Sequence, residues 1–224
     1  VVAKFDAPAI NFGDAKAGAP LSPRCTDAQA TAGSGRWNSD REWVFEFNND
    51  LPPGVRCTAQ PRADFRSPRG EALSATAYTF NTGGPFVQQI RPGTWQPIEE
   101  DQLFILQLNG AATPASVAAN VWCALDGVGE RVPVRLVEGD PRAALLASQR
   151  LDKLAGKDPQ RFVTLGCNRR FTPASKVQIV FGKGVATAGG VANTVDKRFA
   201  FKVREPLHLS FSCERENAQA PCLP

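Results

Sequence analysis

Short runs in which apolar and polar residues alternate, each closed by a turn bearing Pro or Gly, limit what this chain can fold into. Glu42-Trp43-Val44-Phe45-Glu46-Phe47 sets Trp43, Phe45 and Phe47 on one side and mostly polar residues on the other. A strand with one buried and one wet face has that period of two. Leu51-Pro52-Pro53-Gly54 then makes a turn, because Pro presets φ and Gly supplies the conformations other residues avoid. Further strands are expected at 55–60 and 76–80, separated by the turn Ser67-Pro68-Arg69-Gly70-Glu71. Asn81-Thr82-Gly83-Gly84-Pro85 ends this series and reads as a boundary between modules.

A second series follows. Strands are expected at 86–90, 103–108, 121–125 and 131–137, with Pro133 favouring an edge position for the last. One segment departs from the β pattern. Asp140-Pro141-Arg142-Ala143-Ala144-Leu145-Leu146 opens with an N-cap Asp and a Pro at the first helical position. Leu151 and Leu154 continue its apolar stripe and Gly156 can end it. One inserted helix is therefore predicted near 141–154.

The two halves echo each other. Asp50 to Cys57, a Gly-containing turn and Tyr78 to Thr82 are matched by Arg170 to Val177, Gly189-Gly190-Val191 and Phe199 to Val203. Upstream, Glu42–Phe47 matches Arg161-Phe162-Val163-Thr164-Leu165. Self-similarity of this kind marks tandem modules. Short strands with turn signals every 8–12 residues mark β-sandwiches. The expected fold is all-β: one sandwich over 1–84 and a second, with the inserted helix, over 85–204. Residues 205–224 are a linker or the first strand of a third module, since Leu207-His208-Leu209-Ser210-Phe211-Ser212-Cys213 restarts the pattern.

The six cysteines are Cys25, Cys57, Cys123, Cys167, Cys213 and Cys222, with no C-x-x-C among them. Six allow 15 pairings. Sequence order suggests the simplest, 25–57, 123–167 and 213–222, each inside one proposed module. Disulfides imply an oxidising compartment such as a periplasm or the cell exterior.

Composition excludes several functions. Hydrophobic residues are 42% and charged residues 21%, so the chain is not disordered by composition. The net charge is +4, with no run of Lys/Arg longer than two, which disfavours a nucleic-acid partner. No stretch approaches the ~20 apolar residues of a membrane helix. There is no Met, so the chain is a processed product or part of a longer protein. A Ser-His-Asp or Cys-His set would have to use the single His, His208, and multi-His metal sites are impossible. Catalytic residues, cofactors and metals are accordingly none in this reading. Gly182-Lys183-Gly184 lacks the Ser/Thr of a phosphate loop, and Glu99-Glu100-Asp101 lacks the alternating spacing of calcium ligands. Trp43 and Trp122 sit in strand patterns and are expected in the core. Trp37 and Trp95 sit near turns and are the candidates for exposed contacts. Arg36, Arg41, Arg56 and Arg62 are candidates for stacking on the Trp rings.

Motifs of the first half resemble bacterial Ig-like domains. They are Leu51-Pro52-Pro53-Gly54, then Arg69-Gly70-Glu71-Ala72-Leu73, then Tyr78-Thr79-Phe80-Asn81-Thr82. Phe181 to Ala186, Phe199 to Pro206 and Phe211-Ser212-Cys213-Glu214-Arg215-Glu216-Asn217-Ala218 are similar to the N-terminal region of bacterial alpha-2-macroglobulins. That resemblance covers nearly the whole chain. It implies a non-catalytic scaffold or interaction fragment of a protease-trapping inhibitor of the cell envelope. The implied setting is periplasmic, with anchoring through a more N-terminal segment among the arrangements the family allows. Proteases would be partners through the full-length protein, with envelope proteins or other domains of the same chain beside them. The family's thioester needs Cys-x-Glu-Gln. Cys213-Glu214-Arg215-Glu216 lacks the Gln, so that chemistry is not expected in this segment. The alternative reading is a cell-surface adhesion module or a carbohydrate- or peptide-binding module, for which Trp37 and Trp95 would be the platform.

Overall fold

Trp43 and Phe45 show why the first strands form where they do. They are buried on β4 (Glu42–Phe47), at 1% and 8% exposure, while Glu46 between Phe45 and Phe47 stays wet. In this computed structural model the described residues are 1–219 apart from 12, 15, 28, 75, 211, 216 and 218. Around β4 lie β1 (Val2–Lys4) and β3 (Gly33–Ser39), giving a three-stranded antiparallel sheet in the order β1-β4-β3. A second sheet has the order β2-β5-β6, from Leu21–Cys25, Arg56–Pro61 and Tyr78–Asn81. Aromatic rings join the two: Phe45 meets Phe47 edge-on at 5.1 Å, and Phe47 meets Phe80 at 6.4 Å. Gly33 and Gly35 on β3 leave room for the Phe45 and Trp43 rings, which a Cβ at either position would overlap. A strand glycine here marks close approach by a neighbouring ring rather than a turn.

Residues 87–202 carry one seven-stranded sheet in the order β13-β12-β9-β10-β11-β8-β7. Its strands are β7 (Val87–Arg91), β8 (Leu103–Leu108), β9 (Val121–Leu125), β10 (Val132–Leu136), β11 (Phe162–Cys167), β12 (Lys176–Phe181) and β13 (Lys197–Lys202). The sheet folds over on itself into a sandwich that is nearly closed by a parallel bridge between Ile98 and Val203. Phe104, Leu106, Leu108, Leu165, Val177 and Ile179 fill the interior, none above 1% exposure. Phe104 packs on Phe201 across it, at 5.1 Å.

The two halves repeat with one connectivity. β1-β4-β3 corresponds to β8-β11-β10, and β2-β5-β6 corresponds to β9-β12-β13, with β7 added at one edge. The offset is 120 residues from β4 to β11 and from β5 to β12, one residue away from the match expected at Arg161. The chain is thus a tandem all-β pair of Ig-like sandwiches, the second with inserted helices.

Each described bond lies inside one sandwich. Cys25–Cys57 links registered partners on β2 and β5, and Cys123–Cys167 links β9 to β11 across β10. Cys213 is also disulfide-bonded; its expected partner, Cys222, lies outside the described residues.

Three expectations need correction. Pro133 does not mark an edge strand: β10 lies between β9 and β11. It is tolerated because β10 changes partner there. Val132 and Pro133 pair with β9, and Val134 to Leu136 pair with β11, so the missing N–H falls at the crossing.

The single helix over 141–154 is two, α2 (Gly139–Ser148) and α3 (Asp152–Lys157), with Gly156 inside the second. Arg150 takes φ +55 between them, while its N–H reaches Ala147 O at 2.9 Å and Leu151 N–H reaches Leu146 O at 2.9 Å. Those two bonds form a Schellman closure, in which Leu146 and Leu151 are buried together against Ile105 and Phe162. Arginine stands where glycine is the unstrained residue. Arg150→Gly is expected to stabilise the chain by about 0.5–1 kcal/mol, read as a rise of about 1–4 °C in Tm by calorimetry.

A further helix, α1 (Pro114–Asn120), was not expected, although Thr113-Pro114 carries its signal. Thr113 Oγ1 caps Ser116 N–H, and Pro occupies the first helical position.

Residues 205–224 are expected as either a linker or the first strand of a third module, and their described part carries no strand. Residues 204–210 are irregular, and Leu207 and Leu209 are exposed. Among the described residues no strand pairs with 207–210, and a strand without a partner leaves its backbone groups to water.

Candidate functional site

The four tryptophans have different surroundings. Trp43 is core, as expected, but Trp122 is only half-buried, with the Arg131 guanidinium 3.9 Å from its ring centroid. The arginines expected over tryptophan rings do other work. Arg36 pairs with Glu46, Arg41 donates to Asp6 O, Arg56 donates to Gly190 O and Arg62 forks onto Asp64. Trp37 is half-buried between Phe5 and Phe65, and its Nε1 donates to Gly18 O at 3.2 Å. Trp95, after β7, is 82% exposed. The two candidate contact residues therefore lie in different sandwiches and do not form one platform.

The Arg62–Asp64 fork lines a hollow of about 570 Å³ at the N-terminal end of the first sandwich, with Ile10, Lys16, Phe65 and Arg66. Hydrogen bonding from Arg62 holds the Asp64 carboxyl below its ordinary value. In the acidic run, Glu100 pairs with Arg170 at 2.9 Å and Glu99 with Arg204 at 2.5 Å. Among the described residues no three His, Cys, Asp or Glu side chains converge. His208 is exposed in the segment after β13.

An apolar cleft of about 380 Å³ opens between α1 and the turn at 159–161, lined by Ala112, Val117, Val137, Phe162 and Val163. Thr164 on its wall donates to Val137 O at 2.6 Å, and Arg142 at its rim donates to Pro159 O and Phe162 O. Thr164 and Arg142 are thus engaged with backbone, and Glu138 and Gln160 also line the cleft.

The most specific geometry in the molecule is the joint between the sandwiches. Gly54 takes φ +80 in the Pro-Pro-Gly turn and is buried against Thr187 of the second sandwich. A Cβ at Gly54 would overlap Thr187 Cγ2 and lie 3.0 Å from Thr187 Cβ. Arg56 Nη2 donates to Gly190 O at 3.4 Å. Pro53 packs on Gly110, and Gly84 lies against the backbone of Ala192 and Asn193. Phe86 N–H donates to Asn109 Oδ1 at 2.7 Å just beyond the linker. The Pro-Gly turn and the Gly-Gly turn were legible as turns. Their meeting was not, because 133 residues separate Gly54 from Thr187.

No family model matches the chain, and no curated protein matches it. Among solved structures, it is similar to the N-terminal part of the bacterial S-layer protein SbsC, at 10% identity and a TM-score of 0.36, over 55% of this chain and 24% of that one. It is also similar to the S-layer protein rSbsC(31-844), at 11% identity and a TM-score of 0.35, over 60% of this chain and 16% of that one. The chain thus spans a minor part of either protein.

Proposed function

We propose that this chain is a non-catalytic scaffold and interaction fragment from the N-terminal region of a bacterial alpha-2-macroglobulin-like protease trap of the cell envelope. The observation that carries the reading is a disulfide-tied tandem of β-sandwiches held at a packed joint. Such a unit holds geometry for neighbouring domains. Its disulfides are compatible with an extracellular or envelope location, and the family-like motifs favour the periplasm. Proteases would meet the full-length protein, not this fragment alone.

The test uses the full-length protein carrying these sandwiches, incubated with an elastase-like or trypsin-like protease. A trap is expected to leave cleavage of a small chromogenic peptide intact while protecting a large protein substrate, with one cut in its own chain. Equal loss of both activities, or of neither, overturns the reading.

The exposed ring of Trp95 favours a second reading, a surface module for carbohydrate or peptide. A shift in tryptophan emission on adding glycans or peptides, absent in Trp95→Ala, would mark that reading instead.

A further inference from the structure

The two halves of the internal joint recur on the outer ends of the molecule. By the 120-residue offset, Pro53-Gly54 corresponds to Pro173-Ala174, and Arg56 to Lys176. Ala174 takes the same left-handed backbone as Gly54, φ +62 against +80. Ala174 N–H donates to Arg204 O at 3.0 Å, as Gly54 N–H donates to Gly83 O at 2.9 Å. On the other side, Thr187 corresponds to Ser67 and Gly190 to Gly70. The two turns share their hydrogen bonds. Ser67 N–H reaches Glu71 O at 2.9 Å, and Thr187 N–H reaches Val191 O at 3.0 Å. Glu71 N–H reaches Ser67 Oγ at 3.3 Å, and Val191 N–H reaches Thr187 Oγ1 at 3.3 Å. Gly70 and Gly190 both take positive φ, +82 and +74.

Burial separates the two sets at one position, Gly54 against Ala174; Arg56 and Lys176, and Gly190 and Gly70, are exposed alike, and Thr187 and Ser67 are both half-buried. Gly54 is covered by Thr187 of the second sandwich, whereas Ala174 is exposed. The residue changes remove the tightest contact and leave those to the hydroxyl and Cβ, at 2.9 and 3.0 Å. At the joint, a glycine without Cβ faces a threonine. At the outer ends, an alanine with Cβ would face a serine, which lacks the γ-methyl that a Cβ on Gly54 would overlap. Lys176 keeps a cation where Arg56 donates to Gly190 O, and Gly70 keeps the matching carbonyl.

We infer that the Thr172–Ser175 turn of one copy docks on the Ser67–Glu71 turn of a second copy, repeating the internal joint head to tail. Such a contact joins two different surfaces, so it propagates into open chains unless its rotation closes a ring. It rests on the repeat and the joint, independently of the protease-trap reading.

The test is cross-linking between copies. At the joint a Cβ on Gly54 would lie 3.0 Å from Thr187 Cβ, a little inside the roughly 3.5–4.5 Å a disulfide spans, so a small outward shift of the equivalent pair brings it to bonding distance. Ser67→Cys and Ala174→Cys proteins, each folded as judged by its native disulfide map, are mixed at high concentration in a glutathione redox buffer. The expected product is a 67–174 cross-link in several-fold excess over 67–67 and 174–174. The double variant is expected to form a ladder. In parallel, sedimentation of the unmodified chain is expected to show mass growing with concentration past the dimer, and Ser67→Ile is expected to abolish that growth. Lack of preference for the 67–174 link, a mass that stops at the dimer, or a monomer at every concentration overturns the inference.

Discussion

Replacing Cys123 and Cys167 together by alanine is expected to lower unfolding stability by about 2–5 kcal/mol, the range for loss of a native disulfide from a domain of this kind. The bond closes a loop of 44 residues, which contains β10, α2 and α3. Removing it restores that freedom to the unfolded chain. In the chain-entropy account, cost grows only with the logarithm of loop length, so most of it comes from having the crosslink at all. Packing adds to it. Cys123 is 0% and Cys167 8% exposed, both inside the main core, and alanine leaves a void where the sulfurs were. Guanidinium denaturation with and without the bond measures the difference. A loss below about 1 kcal/mol would mean that the unfolded chain already holds these strands together.

Gly54→Ala is expected to cost about 2–3 kcal/mol from two separate sources. An L side chain at φ +80 is strained in any surroundings, and this Cβ also meets Thr187. The second source can be isolated. Thr187→Ala removes the γ-methyl and hydroxyl, so adding it to Gly54→Ala is expected to recover about 1 kcal/mol and leave the backbone strain. Equal costs of Gly54→Ala in the two backgrounds would show that the sandwiches do not press together in solution. The same turn in the second sandwich already carries alanine, at Ala174, without burial against a neighbour. Strain alone is therefore tolerated, and close approach is what makes glycine necessary at Gly54.

Much of the fold was legible in local pattern. Trp43, Phe45 and Phe47 announced β4 through period two, and Leu103-Phe104-Ile105-Leu106 announced β8 through four consecutive apolar residues. The alternation is lost there because the core covers Phe104 and Leu106 on one face of β8 and the inserted helices bury Ile105 on the other. The sulfur pairs within each half followed from sequence order. The inserted helix was legible as a helix. Its break was not, because the left-handed turn at Arg150 comes from burying Leu146 and Leu151 together and not from a glycine. Trp37 near a turn suggested an exposed ring, and only Phe5 and Phe65 closing on it from distant positions show otherwise.

Side-chain period, turn chemistry and order along the chain specify the strands from β4 onward, the turns, the two-fold repetition and the described disulfides within each half, whereas β1, β2 and β3 carry too little apolar alternation to be read. Tertiary structure alone decided where β10 changes sheets, which face of each sandwich meets the other, and that Gly54 is locked under Thr187. Those outcomes depend on contacts between residues far apart in the chain, and no local period or turn preference records which distant surface will arrive.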